Sequence, residues 1–376
     1  MNPGRANEST EPAYAGKVAA GIYEKHVGVG RFQKRGRLWR QNLHRVLEQS
    51  KGRKDLGSSL SGRSQKQQVR HAEPPGLGPC EPGRRRPDFV GSVRVPAFLV
   101  LSTRTRMRGY LTMTEPARLP RVRAELVTRD GVRLSAAHDP PRSASTGTVA
   151  VLAHGFTGSW QRDAVRAISG VLSERLGVVS FDFRGHGRSS GESSLGDLEI
   201  YDVDAAVSWA RTLGYERIVT LGFSMGGSVV LRHAALLDGV DAVAAVSSPA
   251  FWFYRGTPAM RFLHQIVESG AGRRAAALTR NTRITSREWD PQDLPMSPVE
   301  SAALLADVDV LIVHGDVDHY FPLEHAYALH EAAQGSADPS TGGRRDLWIE
   351  DGYGHAEAAA SPELVDRIGQ WLARTK

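Results

Sequence analysis

Ser224 lies in Gly222-Phe223-Ser224-Met225-Gly226-Gly227, a G-x-S-x-G run between an apolar stretch ending at Leu221 and a helical pattern opening at Met225. The glycines permit a sharp strand-to-helix turn that presents the hydroxyl in a strained backbone conformation. A serine hydroxyl is a weak nucleophile until a base takes its proton, and a histidine base needs a carboxylate to fix its tautomer and stabilise its cation. Carboxylates of the right kind follow a later apolar stretch, in His314-Gly315-Asp316-Val317-Asp318-His319-Tyr320-Phe321-Pro322. Asp316 and Asp318 are both eligible. The last apolar stretch leads to Gly352-Tyr353-Gly354-His355, which places a histidine on a loop before the terminal helix. His233, His264, His325 and His330 fall in helical patterns, where surface or partly packed positions are expected. The chemistry implied is attack of a serine on an acyl carbon.

These residues need a scaffold that delivers them to one place. From Arg121 the pattern becomes regular: Val122, Ala124 and Leu126 share one face, and after Asp130-Gly131 so do Val132, Leu134 and Ala136, which predicts an antiparallel hairpin with a two-residue turn. Short apolar runs follow at Thr148 to Ala153, Val178 to Phe183, Ile218 to Leu221, Ala242 to Val246, Val308 to Val313 and Leu347 to Ile349. Segments of helical period lie between them, at Ala164 to Leu176, Ile200 to Leu213, Met225 to Leu237, Leu323 to Ala333 and Pro362 to Leu372, the last with Ser361 as N-cap. Continuous apolar strands alternating with amphipathic helices predict an α/β fold, a mainly parallel, doubly wound sheet covered on both faces. Ligands of such sheets bind beyond the carboxyl ends of the strands, and the nucleophile, acid and histidine all follow strand ends.

From about Arg121 to the end, roughly two-thirds of the chain, the sequence resembles the α/β-hydrolase family. The order Ser224, Asp318, His355 is that family's order of nucleophile, acid and base. Its acid commonly falls in an H-G-x-x-D-x-x-x-P arrangement, which matches Asp318 and leaves Asp316 as a turn residue. The resemblance also implies an oxyanion hole made of two backbone N–H groups, those of Phe156 in His154-Gly155-Phe156 and of Met225. Asp182-Phe183-Arg184-Gly185-His186-Gly187-Arg188-Ser189 matches a further family loop and is expected to form a hydrogen-bonded turn near the pocket. It is not a phosphate loop of the Walker type, since no Lys-Ser/Thr ending is present. The activity implied is carboxylic ester hydrolysis of a small-molecule acyl substrate, without cofactor or metal. Thioester or amide hydrolysis and acyl transfer use the same triad, and a silent hydrolase fold serving as a receptor is the reading outside enzymology. Ser224 at the elbow argues against a haloalkane dehalogenase, which shares the fold but needs a carboxylate there.

Between Ser247 and Leu304 the strand–helix rhythm breaks. Phe251-Trp252-Phe253-Tyr254 is followed by helix-like segments at Met260 to Glu268 and Arg274 to Leu278, which predicts a short helical lid over about 251–304. The aromatic run either lines an apolar acyl pocket or packs the lid.

The first third of the chain differs in kind. The 376 residues carry 48 Lys+Arg and 41 Asp+Glu, a net charge of +7, with 40% hydrophobic residues. Residues 1–112 hold 22 of those cations and 8 acids, so residues 113–376 hold 26 and 33. Lys376 is the one lysine after Met113. No apolar period runs through residues 1–112, and a chain that cannot bury apolar surface is expected to stay disordered. The domain reading is therefore a basic, disordered or non-native extension over 1–112 and a hydrolase domain over 113–376, with Met113 or Met107 as a natural start. Scattered charges, with Arg84-Arg85-Arg86 the tight cluster, and the absence of interleaved aromatics argue against a nucleic-acid-binding arm, and Arg85-Arg86 before Phe89 lies too far from residue 1, without a small-residue cleavage site, for a twin-arginine export signal. The longest apolar run of this segment, Val95 to Leu101, has seven residues, against the roughly 18–20 of a membrane span. Cys80 is the single cysteine, so no internal disulfide forms, and a reducing, cytoplasmic setting is expected. Oligomeric state is not legible.

Overall fold

The computed structural model describes residues 120–142, 147–290, 293–336 and 343–374. The extension over 1–112, with Cys80 and Arg84-Arg85-Arg86, and the start at Met107 or Met113 lie outside them. The alternating segment forms β1 (Val122–Val127) and β2 (Arg133–Asp139), antiparallel and in register at Leu126↔Leu134 and Ala124↔Ala136. Their connection is wider than two residues. Strand pairing stops at Val127↔Arg133 because Thr128 closes the loop itself, its Oγ1 accepting the Val132 N–H at 2.9 Å. Asp130 is meanwhile drawn to the Arg184 guanidinium at 2.8 and 3.0 Å.

The apolar runs form β3 (Thr148–Ala153), β4 (Gly177–Phe181), β5 (Arg217–Phe223), β6 (Ala242–Val246), β7 (Asp309–Gly315) and β8 (Arg345–Glu350). All residues of β3, β4, β6 and β7 are buried, as strands covered on both faces must be. One eight-stranded sheet results, in the order β1-β2-β4-β3-β5-β6-β7-β8. It is parallel from β4 to β8, and β2 joins β4 antiparallel. The chain moves from β3 to β4 on one side and then to β5 on the other, so a crevice opens at the carboxyl ends of β3 and β5.

The helices are α1 (Asp163–Leu172), α2 (Ile200–Thr212), α3 (Met225–Leu236), α4 (Pro258–Glu268), α5 (Gly270–Arg280), α6 (Pro298–Ala302), α7 (Glu324–Gly335), α8 (Ala356–Ala359) and α9 (Pro362–Ala373). Alternate strand residues feed two cores. Val149, Val151 and Ala153 face α2, α3, α6 and α7, whereas Ala150 and Leu152 face α1 and α9. Each buried Val or Leu contributes roughly 1.5–3 kcal/mol to this arrangement. The expected cap of α9 is present, with the Ser361 Oγ accepting the Leu364 N–H at 3.1 Å beside Pro362.

Two histidines depart from expectation. His233 in α3 and His325 in α7 are buried: His233 Nε2 lies 3.8 Å from the Asp204 carboxylate of α2, and His325 sits among the rings of Phe251, Tyr254 and Phe321. His325 is put to structural use: its Nδ1 accepts the Ala250 N–H at 3.0 Å. Between β6 and α6 the chain makes the two expected helices, α4 and α5, which bury little beyond Met260 and Ala276 and leave Phe262 and Leu278 exposed. Among the described residues no helix is long and apolar enough to cross a membrane.

Candidate active site

Ser224 stands between β5 and α3 with φ 51° and ψ −116°, a region that non-glycine residues seldom occupy. Such a conformation costs on the order of 1–3 kcal/mol and persists only where the surroundings enforce it. Here the Ser224 N–H donates to the Val246 carbonyl at 2.8 Å, and its carbonyl accepts from Ser228 at 3.2 Å. The glycine of the motif on the helix side is needed for close approach: a Cβ at Gly226 would stand 2.6 Å from the His154 carbonyl oxygen.

The loops after β5, β7 and β8 meet. His355 Nε2 lies 2.9 Å from Ser224 Oγ, and His355 Nδ1 lies 2.7 Å from Asp318 Oδ2. A carboxylate accepts, so Nδ1 carries the proton and the Nε2 lone pair faces the serine hydroxyl. Asp318 is buried, and its other oxygen accepts the N–H groups of Tyr320 at 2.8 Å and Phe321 at 3.1 Å. Burial alone would push the Asp318 carboxyl up; the hydrogen bond from His355 and these two N–H groups outweigh it and hold it below the usual range. Asp316 is exposed and accepts the Gly352 N–H at 2.8 Å, which ties the acid loop to the histidine loop. Behind Asp318 sits His314, buried, with Nε2 2.9 Å from the Phe321 carbonyl and 3.6 Å from Asp318 Oδ2. Burial pushes the His314 imidazole below its ordinary range.

The loop after β3 is fixed atom by atom. His154 Nε2 accepts the Phe183 N–H at 3.1 Å, so Nδ1 carries the proton and donates to the Gly155 carbonyl at 2.7 Å. Burial holds His154 down to about 4 and therefore neutral. The Gly158 N–H also donates to the Gly155 carbonyl, at 2.9 Å. A trans peptide is planar with C=O and N–H opposed, so two bonds on the Gly155 oxygen turn the Phe156 N–H to the other side. Asp182 links this loop to the next: its carboxylate accepts the Trp160 N–H at 2.8 Å and the Arg188 N–H at 2.9 Å. Met225 is the first residue of α3, where a backbone N–H has no intrahelical acceptor.

An elbow serine, a histidine and a buried acid drawn from the ends of β5, β8 and β7 can be compared with known families. The model of the alpha/beta hydrolase family matches residues 150–370, more than half of the chain. The chain belongs to the alpha/beta hydrolase family. Among curated relatives, alpha/beta hydrolase domain-containing protein 17B of Xenopus laevis is 28% identical over 200 residues, 52% of this chain and 56% of that protein. The chain thus spans little more than half the length of that relative. A monoacylglycerol lipase of Mycolicibacterium smegmatis is 29% identical over 212 residues, 46% of this chain and 71% of the lipase. Among solved structures, an esterase of Pyrococcus furiosus superposes with a TM-score of 0.52 at 21% identity, covering 67% of this chain and 92% of the esterase, a likeness of fold.

In this hydrolase the aromatic run does not form one wall. Phe251 is buried against His325, with ring centroids 5.7 Å apart. Trp252 and Phe253 turn to Trp289, at 5.2 and 5.6 Å, and Trp252 Nε1–H donates to the Pro295 carbonyl at 2.9 Å. Tyr254 packs on Phe321, whose ring is 5.7 Å from that of His355. The rings nearest the histidine are instead Tyr320, at 4.4 Å, and Phe321, from the acid loop itself. Thr257 Oγ1 donates to the Tyr320 carbonyl at 2.9 Å, so the start of α4 is fastened to that loop.

Glu357 was not legible in the sequence. Its carboxylate accepts the Gly155 N–H, and a Cβ on Gly155 would lie 3.2 Å from Glu357 Oε2 and 3.3 Å from the Ser224 Cβ. Burial pushes this carboxyl up, opposed by the Gly155 N–H. The one sequence signal is an acid two residues after His355 in an otherwise small-residue run, Ala356 to Ser361.

Proposed function

We propose that this hydrolase cleaves the carboxylic ester of a small-molecule acyl substrate through an acyl-enzyme on Ser224. Ser224 Oγ attacks the carbonyl carbon while His355 Nε2 takes its proton, and Asp318 holds the resulting imidazolium. The oxyanion is received by the N–H groups of Phe156 and Met225; loss of one such donor costs about 2.7–4 kcal/mol. The carbon–oxygen bond to the alcohol then breaks, and the alcohol takes the proton from His355. Water repeats the sequence: it attacks the acyl carbon, gives a proton to His355, and the acid departs as that proton returns to Ser224 Oγ.

The observation that carries this reading is the line from Ser224 Oγ to His355 Nε2 at 2.9 Å and from Nδ1 to Asp318 at 2.7 Å, with the tautomer set by the acid. Glu357 serves as a positioning residue: by holding the Gly155 N–H it fixes the peptide that leads to Phe156 and joins it to the histidine loop. Residues 113–376 form the catalytic domain, and the segment over about 251–304 acts as its lid. The expression of activity is tested with p-nitrophenyl esters of graded chain length. Wild type turns them over and reacts with a fluorophosphonate probe, and Ser224→Ala loses at least about 10^4-fold in kcat together with all labelling. Turnover that survives Ser224→Ala sinks the proposal.

A further inference from the structure

Two cavities flank the loop that runs from Gly158 into α1, and both are lined by arginine. The first, of about 290 Å³, lies between that loop, the loop after β4 and the end of α5; Arg162, Arg188 and Arg280 converge on it with Ser159 and Asn281. The second, of about 490 Å³, shares Gln161 with the first and is lined by Arg123 and Arg166, with Arg121 beside Asp139. In the larger one Arg121 is neutralised by Asp139, at 2.6 and 2.8 Å, and the guanidiniums of Arg121 and Arg123 lie over the Trp160 ring. The smaller one is different. No Asp or Glu lines it. Among the described residues no ion pair neutralises Arg162, Arg188 or Arg280, although residues 113–376 carry 33 acids against 26 Lys+Arg.

Three cations brought from positions far apart in sequence repel one another, and a segment rich in acids had the means to pair them. A carboxylate is satisfied by one bidentate arginine, whereas a phosphate group offers three outward oxygens and matches several guanidiniums at once. Backbone bonds set where the three exposed side chains start, the Arg162 N–H donating to the Ser159 carbonyl at 3.0 Å. The Asp182 carboxylate holds the Arg188 N–H, and the Asn281 side chain, next to Arg280, donates to the Gly187 carbonyl at 2.7 Å. We propose that the smaller cavity is a seat for a phosphate group, brought either by the alcohol part of the substrate or by a free phosphate. The loop that borders it carries Gly155 and Phe156 just before Gly158, and His186, next to Gly187, has its ring 5.7 Å from that of Phe156. The substrate form of this inference rests on the ester-hydrolase reading; the binding form does not.

The test uses the full 376-residue chain. Titration calorimetry with inorganic pyrophosphate on the Ser224→Ala protein reads binding without turnover. Saturable binding is expected, weakened about tenfold or more by the triple variant Arg162→Gln/Arg188→Gln/Arg280→Gln. The control Arg84→Gln/Arg85→Gln/Arg86→Gln removes the same charge from the basic segment and is expected to change it less than about twofold. An equal loss in both variants, or none in the cavity variant, overturns the seat as adventitious attraction to a basic protein. In the Ser224 protein the sources are separated by two esters that differ in the phosphate alone, 1-butyryl-glycerol 3-phosphate and 1-butyryl-glycerol. A substrate-borne phosphate shows as a fall in the kcat/KM ratio of the first to the second in the cavity variant. A free phosphate shows as an unchanged ratio, with pyrophosphate altering hydrolysis of the neutral ester in wild type and not in that variant. If neither ester is hydrolysed the ester reading fails, and calorimetry still decides the seat.

Discussion

The loops after β3, β4, β5, β7 and β8 and the aromatic run Phe251 to Tyr254 both lie beyond the carboxyl ends of the strands, yet they are held by different forces. The loops are positioned by directional bonds on backbone atoms: His154 and Glu357 on Gly155, Asp182 on Trp160 and Arg188, Asp318 on Tyr320 and Phe321. Further along the inserted segment, residues 282–285 are tied by backbone bonds to the loop after β4, with the Arg283 N–H on the Gly185 carbonyl at 2.7 Å and the Thr285 N–H on the Ser193 carbonyl at 3.0 Å, whereas the aromatic run rests largely on ring faces, Trp252 and Phe253 on Trp289 and Tyr254 on Phe321. Hydrogen bonds fix position to tenths of an ångström, and apolar contact tolerates sliding and exchange of side chains. The difference teaches that the groups expected to do chemistry sit where the fold is least adjustable, and those expected to meet the acyl chain sit where it is most so.

The comparison breaks most readily at Asp318. Asp318→Asn is expected to lower kcat for p-nitrophenyl butyrate by about 10^3- to 10^4-fold, because an amide no longer fixes the His355 tautomer or its cation. Asp316→Asn is expected to stay within about threefold, since an amide oxygen still accepts the Gly352 N–H. Comparable losses in both would reassign the acid.

Glu357→Ala should lower kcat by about 10- to 100-fold through a loosened oxyanion loop, with KM changed less than about twofold. Glu357→Gln, which keeps an acceptor for the Gly155 N–H, should recover most of it. A variant that merely loosened packing would lower the melting temperature without this rescue.

The rigid loops should also reveal themselves in pH. Burial holds His186 down to about 4, as it does His154. A folded-state value below the unfolded one means that the unfolded chain binds the proton first, so this stability is present above about 6.5 and lost as pH falls towards 4. His186→Gln should flatten the fall of the unfolding free energy, measured in urea, over that window, by up to ~3 kcal/mol at its acid end. An unchanged slope would show that His186 titrates normally.

The smallest effects belong to the inserted segment. Trp252→Ala or Phe253→Ala should leave kcat on the acetyl ester within about twofold and move the chain-length optimum, at a stability cost that Trp289 partly absorbs. A uniform loss across chain lengths would place these rings in support of the triad instead.

Local pattern sufficed where the physics is local. The parallel strands were legible from continuous apolar runs, because burial on both faces leaves no polar positions; β3 and β6 fall on the residues expected. The short helices α6 and α8 carried too few turns for a period to show. Ser224 was legible from its glycines, which answer a local demand for a sharp turn. The sequence alone also left Asp316 and Asp318 equal, and resemblance rather than spacing separated them. Only the tertiary structure decided what depends on segments distant in the chain: that Asp318 faces His355 while Asp316 braces Gly352, that Glu357 reaches Gly155, that the aromatic run divides between Trp289 and Phe321, and that three arginines share one cavity. Each of these is a meeting of side chains from different loops, and the spacing of residues along one strand or helix carries no information about where another loop will come to rest.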